Sequence, residues 1–443
     1  MSASVPSSGK YARLLRNAAY LRVFSAGLGS VAGQGIAGVC LVWIVYFSTG
    51  SALDVGLLGA SYLVAAILFS VFTGAWVDRY DRRRLMILSD FSRALAMGSV
   101  VVVLVLRGFD LVAILAAYAV VGAFSTLFNP AEQALVPALV EEGQVADANG
   151  LVRSSRSALQ FVGTSIAGVL IVTIGGTAGV AANAATFLLS GLLLLGLRVP
   201  AEGARLATPR PTGSTYFHDV AEGFRWLWRA QGFFQLTISA TFFNFCSNLI
   251  ATFLVIFATV ILHGSALVYA LLLAVEVGGT GIGSLAVGRT HGERWAGRAW
   301  VLPYGVAGGA VAIVLVLFPS VPIALTALFA IGLLGGYAGT AWLTAAQLLV
   351  PTDMQGRYFG IDNLGSIAIL PVAQIGGAFL IEAYGIRTTY LAVAILWLVA
   401  GLAFMAPRAL WNLGYRPKGP EATPRTGDGA PGTSGSLGGT RDG

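Results

Sequence analysis

The chain has 443 residues, 56% of them hydrophobic and only 11% charged, where a soluble globular domain carries about 25% charged residues. Water is therefore not its main solvent, and a soluble enzyme or a chain of soluble domains is excluded in favour of one integral membrane unit with polar tails. The formal charge of +7 comes from 27 Lys+Arg against 20 Asp+Glu, and 25 of the cations are arginines scattered between apolar runs. That pattern fits orientation in a membrane and not nucleic-acid binding.

The polar start, residues 1–13, has no signal-peptide core, so the first apolar run is expected to remain as a helix. Residues 24–53 are free of charge, and Gly50-Ser51 near their end turns the chain into a second run, 55–77. A run of about 20 apolar residues spans a bilayer, whereas a charge at its centre is costly. The short loop that follows carries Asp78, Arg79, Asp81, Arg82, Arg83 and Arg84, and the third run, 85–106, contains Asp90 and Arg93 near its start. Residues 107–110 turn the chain into the fourth run, 111–131.

Residues 157–197 hold no charge, are too long for one span, and split at Gly175-Gly176 into the fifth and sixth. Residues 198–229 shift to Arg, Pro, Gly and Glu and read as a linker. Its end spaces Phe217, Val220, Phe224 and Leu227 like one face of a surface-lying amphipathic helix. The second half repeats the plan with runs 230–262, 266–288 with a lone Glu276, and 299–352, which Pro319 and Pro322 divide in two. Runs 363–381 and 388–406 complete twelve spans, and the tail, 407–443, has a disordered composition rich in Pro, Gly, Thr and Ser. The expected fold is an all-α membrane protein with bundles at 14–197 and 230–406, joined by the 198–229 linker.

Threading twelve spans puts both tails and the linker on one side, with Arg107 and Arg387 in loops on the other. The arginine-rich side is cytoplasmic by the positive-inside rule, which makes the chain a multi-pass protein of the cell membrane. The halves echo each other. Leu135-Val136-Pro137 recurs as Leu349-Val350-Pro351, and Gly74, four residues before Asp78-Arg79, recurs in decayed form as Gly283 before Val287-Gly288-Arg289. Such a parallel six-plus-six repeat is a layout in which two bundles rock about a central site.

These features together resemble the major facilitator superfamily. Within it, Asp78-Arg79 to Arg93, Asn129-Pro130 to Val140 and Ala221 to Arg229 resemble the bacterial branch of macrolide-efflux pumps and the enterobactin exporter. The resemblance implies a secondary transporter acting by alternating access, with a proton gradient as driving force, no cofactor, and a small-molecule substrate, here a hydrophobic or amphiphilic compound leaving the cell. No Gly-x4-Gly-Lys-Ser/Thr loop for ATP is present. Partners are the lipid bilayer and the substrate, with the chain acting as a monomer. An importer or facilitator of a small solute would share the fold, and a membrane receptor or scaffold is the third class. In the family the loop after the second helix latches the halves together. That implies a gating role for Gly74, Asp78 and Arg79 beside Arg82 and Arg83, which also serve orientation. The chain departs from the family in carrying Asp81 where glycine is usual, and no arginine within 111–131.

Asp90 and Arg93, at i and i+3, either pair locally or let Arg93 reach Asp78 beneath the latch. Glu276, midway along its run beside Gly279, Thr280 and Gly283, faces protein or cavity and either trades a proton for a cationic substrate or is a hydrogen-bonded structural group. Glu132 serves the interface or the coupling. Asp362 reads as a helix N-terminal charge in the neighbourhood of the latch. Gln34 and Trp43 in the first run, Asn244 and Asn248 in the seventh, and Trp342 and Gln347 in the tenth are the candidate cavity residues. Gly33-Gln34-Gly35-Ile36-Ala37-Gly38 matches a dinucleotide fingerprint, but inside a charge-free run it reads as close helix packing. Cys40, Cys246, His218, His263 and His291 lack metal-site spacing.

Overall fold

The computed structural model describes residues 14–141, 144–197 and 222–414, and the side chains of Gly74, Asp78, Arg153 and a few others within helices lie outside that description. Short turns with side-chain caps start the first four helices. α1 (Ala18–Thr49) starts at Asn17, whose Oδ1 accepts the N–H groups of Ala19 at 3.0 Å and Tyr20 at 3.1 Å, and it ends at Gly50, whose φ of 65° only glycine adopts without strain. α2 (Ala52–Arg79) is capped by Ser51, α3 (Arg82–Leu106) by Asp81 and α4 (Leu111–Leu139) by Asp110. Asp81 thus has a local reason to replace a loop glycine, since its carboxylate accepts the Arg84 N–H at 3.1 Å. α5 (Val145–Thr173) and α6 (Gly176–Leu195) complete the first half.

After a helical stretch at 222–229, the second half begins with α7, built of Gln231–Thr252 and a continuation, Leu254–Ile261, bent from it by 44°. α8 is Ala266–Thr290. α9 (Gly292–Leu317) changes pitch along its length and runs as a wide π turn over Trp300–Ala307. Pro303 lies inside that turn, where its missing N–H removes one α-helical bond. α10 is Val321–Leu349, α11 comprises Thr352–Ala368 and Leu370–Tyr384, and α12 is Ile386–Ala403. Among the described residues, eleven helices are long and apolar enough to cross a membrane, and the bent α7 pair, taken as one span, makes a twelfth.

Three segments run past the limits that charge-free runs suggested. α4 continues through Pro130, Glu132 and Pro137 to Leu139, α5 begins twelve residues before residue 157, and α11 begins at Thr352, not near residue 363. The reason is common to all three. A charge ends an apolar run in sequence, but a helix continues where its charged side chains find partners inside the protein. Asp362 consequently lies inside a helix and cannot be an N-terminal charge. It is 5% exposed, and it accepts the Thr237 hydroxyl of α7 at 2.9 Å.

Glycine sets the closest approaches. Methyl groups built on Gly279 and Gly283 of α8 would strike the carbonyl oxygens of Phe329 and Leu333 on α10, and those built on Gly332 and Gly336 of α10 would strike the carbonyls of Glu276 and Thr280. This reciprocal four-glycine seam fixes the height of Glu276 in the bundle. The halves meet where α5 touches α8 and α2 touches α11. A methyl on Gly168 would fall 2.5 Å from the Ala270 side chain, and one on Gly56 2.6 Å from the Gln374 carbonyl oxygen. At the end remote from both termini, Glu382 of α11 accepts the Ser51 hydroxyl at 3.2 Å and the Leu53 N–H at 3.1 Å, at the first turn of α2.

Candidate functional site

Glu276 opens onto a cavity of about 320 Å³ within the second half, lined by Asn244 and Ser247 of α7, Thr280 of α8, Trp300 and Tyr304 of α9, and Trp342 of α10. The α8–α10 glycine seam carries Glu276, and the π turn carries Trp300 and Tyr304 onto the same space. Among the described residues the carboxylate has no ion-pair or hydrogen-bond partner. Two of the rings are held in place. Trp342 donates its indole N–H to the Tyr358 hydroxyl at 3.1 Å, and Tyr304 stacks edge-on against Trp397 with ring centres 5.3 Å apart. The indole N–H of Trp300 is buried without an acceptor. A lone carboxylate among π faces is a chemical match for an organic cation, whose charge the acid balances and the rings attract.

The first half treats its charges differently. Arg93 pairs with Asp90 of the same helix turn, at 1% and 0% exposure. Its guanidinium lies between the rings of Phe128 at 4.9 Å and Phe187 at 4.3 Å, and Ser190 of α6 donates to the other Asp90 oxygen at 2.5 Å. Of the two readings of this pair, the structure shows the local one. Glu132, 3% exposed, pairs with Arg156 of α5, which also donates to Asn129 at 3.2 Å. The hydrated interfacial position expected for Glu132 is replaced by a buried, paired one, because α4 continues past it. Arg156 precedes the charge-free run 157–197, so sequence alone places it outside the span, whereas α5 starts early and includes it.

Of the latch residues, Arg79 is exposed at the end of α2, while Gly74 and Asp78 are placed only by their backbone in that helix. Arg82 donates to the Ala134 carbonyl at 2.9 Å and Arg83 to the carbonyls of Leu194 at 2.9 Å and Leu195 at 2.5 Å, so both tie α3 to neighbours in the first half. Asn244 and Trp342 line the Glu276 cavity. Asn248 does not, and instead its Oδ1 accepts Thr252 at 3.5 Å. Gln347 is exposed near the end of α10, so it too is outside the cavity. Trp43 stacks on Phe47 at 4.0 Å and on Tyr269 of the opposite half at 6.4 Å.

Gln34 lines a second cavity of about 360 Å³, with Gly38 of α1, Tyr62 of α2, Tyr118 of α4, Gln160 and Thr164 of α5, Asn183 of α6, and Tyr269, Leu273 and Val277 of α8. The glycines of the false fingerprint now have separate duties. A methyl on Gly33 would strike Thr186 and lie 2.8 Å from Asn183 Nδ2, one on Gly35 would lie 3.2 Å from the Gln160 carbonyl, and Gly38 faces open space. Gln160 and Asn183 were legible as isolated amides in a 41-residue charge-free stretch. Ser247, Trp300 and Tyr304 carried no such signal, since hydroxyls and rings are common in packed helices. His218 and Phe217 fall outside the described residues.

A multi-pass bundle of twelve spans with a two-fold internal plan and cavities between its helices is the architecture of a secondary transporter. The chain matches the Major Facilitator Superfamily over residues 23–367 and again over 236–431, and it belongs to that family. It is 27% identical over 414 residues to the multidrug efflux pump Tap of Mycobacterium tuberculosis, covering 91% of this chain and 96% of the relative. To the multidrug efflux pump Tap of Mycolicibacterium fortuitum it is 28% identical over 407 residues, covering 88% and 95%. Among solved structures, the nucleoside transporter NupG superposes with a TM-score of 0.70 at 13% identity, covering 87% of this chain and 98% of that one. A bacterial homologue of the human lysosomal transporter Spinster gives 0.68 at 18% identity, covering 93% and 100%. At those identities the two structures speak for the fold alone.

Proposed function

We propose that the protein exports lipophilic cations and cationic amphiphiles from the cell in exchange for protons, with Glu276 as the group that binds one or the other. The observation that carries this reading is an acid without a counter-charge inside a membrane cavity whose walls are aromatic. Such a carboxylate is comfortable in two states only, protonated or facing a cation, and that mutual exclusion is what an exchanger requires. The names of the two mycobacterial relatives support a drug-efflux role. Exchange of one proton for one monovalent cation moves no net charge, so in this reading the pH difference across the membrane is the driving force, about tenfold in substrate concentration per pH unit.

In this reading residues 14–197 and 230–406 are bundles that rock about the cavities as a monomer in the cell membrane, and 198–229 tethers them on the cytoplasmic side with both tails. The Arg-rich ends of the helices support that orientation. Contacts at Gly56, Gly168 and Glu382 close the seam remote from the termini, as expected of a state loaded from the cytoplasm. Asp78, Arg79 and Gly74 would then latch the opposite end when the substrate is released outside.

The test uses an efflux-deficient host loaded with a fluorescent cationic dye. Wild-type protein is expected to lower dye accumulation in a manner abolished by an uncoupler, and Glu276→Gln to lose that activity while reaching the membrane normally. Unchanged, uncoupler-sensitive efflux by Glu276→Gln would sink the exchange role.

A further inference from the structure

Near the start of α9 a guanidinium lies over the faces of two indoles. The central carbon of Arg298 is 5.1 Å from the ring centre of Trp295 and 5.2 Å from that of Trp411. Trp295 belongs to the turn that opens α9, whereas Trp411 comes from residues 408–414, which fold back as a strap containing one short helical turn, Arg408–Trp411. The strap is firmly seated. The Leu413 carbonyl accepts the Gly297 N–H at 3.0 Å, Gln235 Oε1 of α7 accepts the Leu410 N–H at 3.1 Å, and methyl groups on Gly297 and Gly414 would strike the carbonyl oxygens of Leu410 and Arg294. It thus joins the first turns of α7 and α9 and brings Trp411 to Arg298.

Among the described residues Arg298 makes no hydrogen bond and no ion pair. The rings hold the half-buried guanidinium in place but give its five N–H donors no oxygen to bind. The charge around it is one-sided. Residues 289–300 and 404–414 carry Arg289, Arg294, Arg298 and Arg408 against a single acid, Glu293, which lies 3.5 Å from His291. An oriented, unpaired guanidinium in such a field suits a phosphate, which accepts two parallel bonds from it.

The depth of the site says which phosphate. Arg298 lies in the first two turns of a membrane-crossing helix, Gly292–Leu317, and Trp295 beside it is 50% exposed, at the level where tryptophan meets lipid headgroups. A second patch of the same make flanks the start of α7. On the 222–229 helix Phe224 and Trp228 are 52% and 61% exposed with Arg225 and Arg229 exposed beside them, while Leu227 is buried and Trp226 packs inward on Phe233 and Tyr358. Phe224 and Leu227, expected on one face, therefore turn different ways. Exposed rings beside arginines are what a helix lying in an anionic leaflet presents.

We propose that Arg298, Trp295 and Trp411 form a binding site for the phosphate headgroup of an anionic phospholipid, in the leaflet on the strap side of the membrane. The phosphate accepts from the Arg298 guanidinium, Arg294 and Arg408 add positive charge, and an acyl chain lies against the exposed Leu302, one turn along α9. Because the strap supplies one of the two rings, the site exists only while the strap is seated, and an occupied site holds the strap to α9. The inference does not depend on what is transported.

The probe is dioleoylphosphatidylglycerol, compared with phosphatidylcholine of the same chains, and binding is read as lipid adducts of the purified full-length protein by native mass spectrometry. The first phosphatidylglycerol is expected to bind about fivefold tighter than the first phosphatidylcholine, the effect of one arginine facing an anionic headgroup. Arg298→Gln should remove that preference. Trp411→Ala should weaken it although no charge changes, whereas Arg107→Gln, exposed on the opposite side, removes the same charge and should leave it intact. Arg298→Lys keeps the charge without the planar fork and should retain part of the preference, which guards against a folding defect in the first variant. Added phosphatidylglycerol should also raise the thermal midpoint of the wild type more than that of Arg298→Gln. Equal affinities for the two lipids in the wild type overturn the inference, as does a preference that survives both Arg298→Gln and Trp411→Ala. Glycerol 3-phosphate is the soluble control: if it displaces phosphatidylglycerol at equal concentration, the site takes free phosphates and the assignment to a lipid falls.

Discussion

The two halves share a helix plan but handle buried charge in opposite ways. In the first, Asp90 pairs with Arg93 and Glu132 with Arg156, with Ser190, Asn129 and two phenyl rings meeting most of what the pairs leave over and only Arg156 Nε left without an acceptor among these charged groups. Among the described residues of the second, the buried Asp362 is met by a hydroxyl, that of Thr237, and Glu276 by no partner. A charge whose partners are all inside the protein holds helices together and changes state only if the bundle comes apart. A charge with no partner adds nothing to the bundle, but it is free to take a ligand. Under the proposed function the difference divides labour between the halves: one is braced by ion pairs, and the other carries the exchangeable site.

The contrast breaks most visibly at Arg93. Arg93→Met leaves Asp90 buried without a counter-charge, at a cost of about 3–5 kcal/mol, and should appear as a collapse of the monodisperse protein recovered in detergent. Asp90→Asn combined with Arg93→Met should recover part of that loss. If Arg93→Met alone melts like the wild type, the first half is not braced by this pair.

On the other side, Gly332→Ala forces a methyl against the Glu276 carbonyl oxygen and pushes α10 from α8. Overpacking of this kind costs about 1–3 kcal/mol, with loss of dye efflux from a protein that still folds. Glu276→Gln sharpens the comparison further, since removing an unpaired acid breaks no bond. Its thermal midpoint should match or exceed the wild type while exchange is lost, the reverse of what an acid in the first half would show. The smallest effect is expected at Glu382→Gln. Weakening a carboxylate at a helix N-terminus costs about 0.3–1 kcal/mol, to be read as a higher rate of labelling of a cysteine placed in the seam beside Ser51.

Much of this organisation can be read from the chain itself. The span count, the six-plus-six repeat and the membrane setting follow from charge-free runs, whose period and length are imposed by the bilayer. The limits of α4, α5 and α11 do not, because Glu132, Arg156 and Asp362 look like ends of spans until their partners are known. Asn244, Trp342, Gln34 and Glu276 are visible as polar or aromatic residues in apolar runs. Trp300 and Tyr304, at i and i+4, share a helix face by ordinary spacing, but nothing in that spacing says that the face meets a cavity. Asn248 and Gln347 have the same composition signal as the cavity residues and miss the cavity, since sequence spacing fixes a face but not what that face meets.

One feature of the fold has a bearing on the medium around it. Glu382 is exposed, and it fastens the halves by binding the hydroxyl and the amide at the tip of α2, groups that carry only partial charge. Such an attraction falls off within a Debye length of about 8 Å at physiological ionic strength and weakens as salt rises. The clasp is thus soft by construction, and its grip depends on the fluid that bathes it. A rise in salt on that side of the bilayer loosens this contact between the halves without touching either cavity, so turnover should respond to the ionic composition of one compartment more than to that of the other.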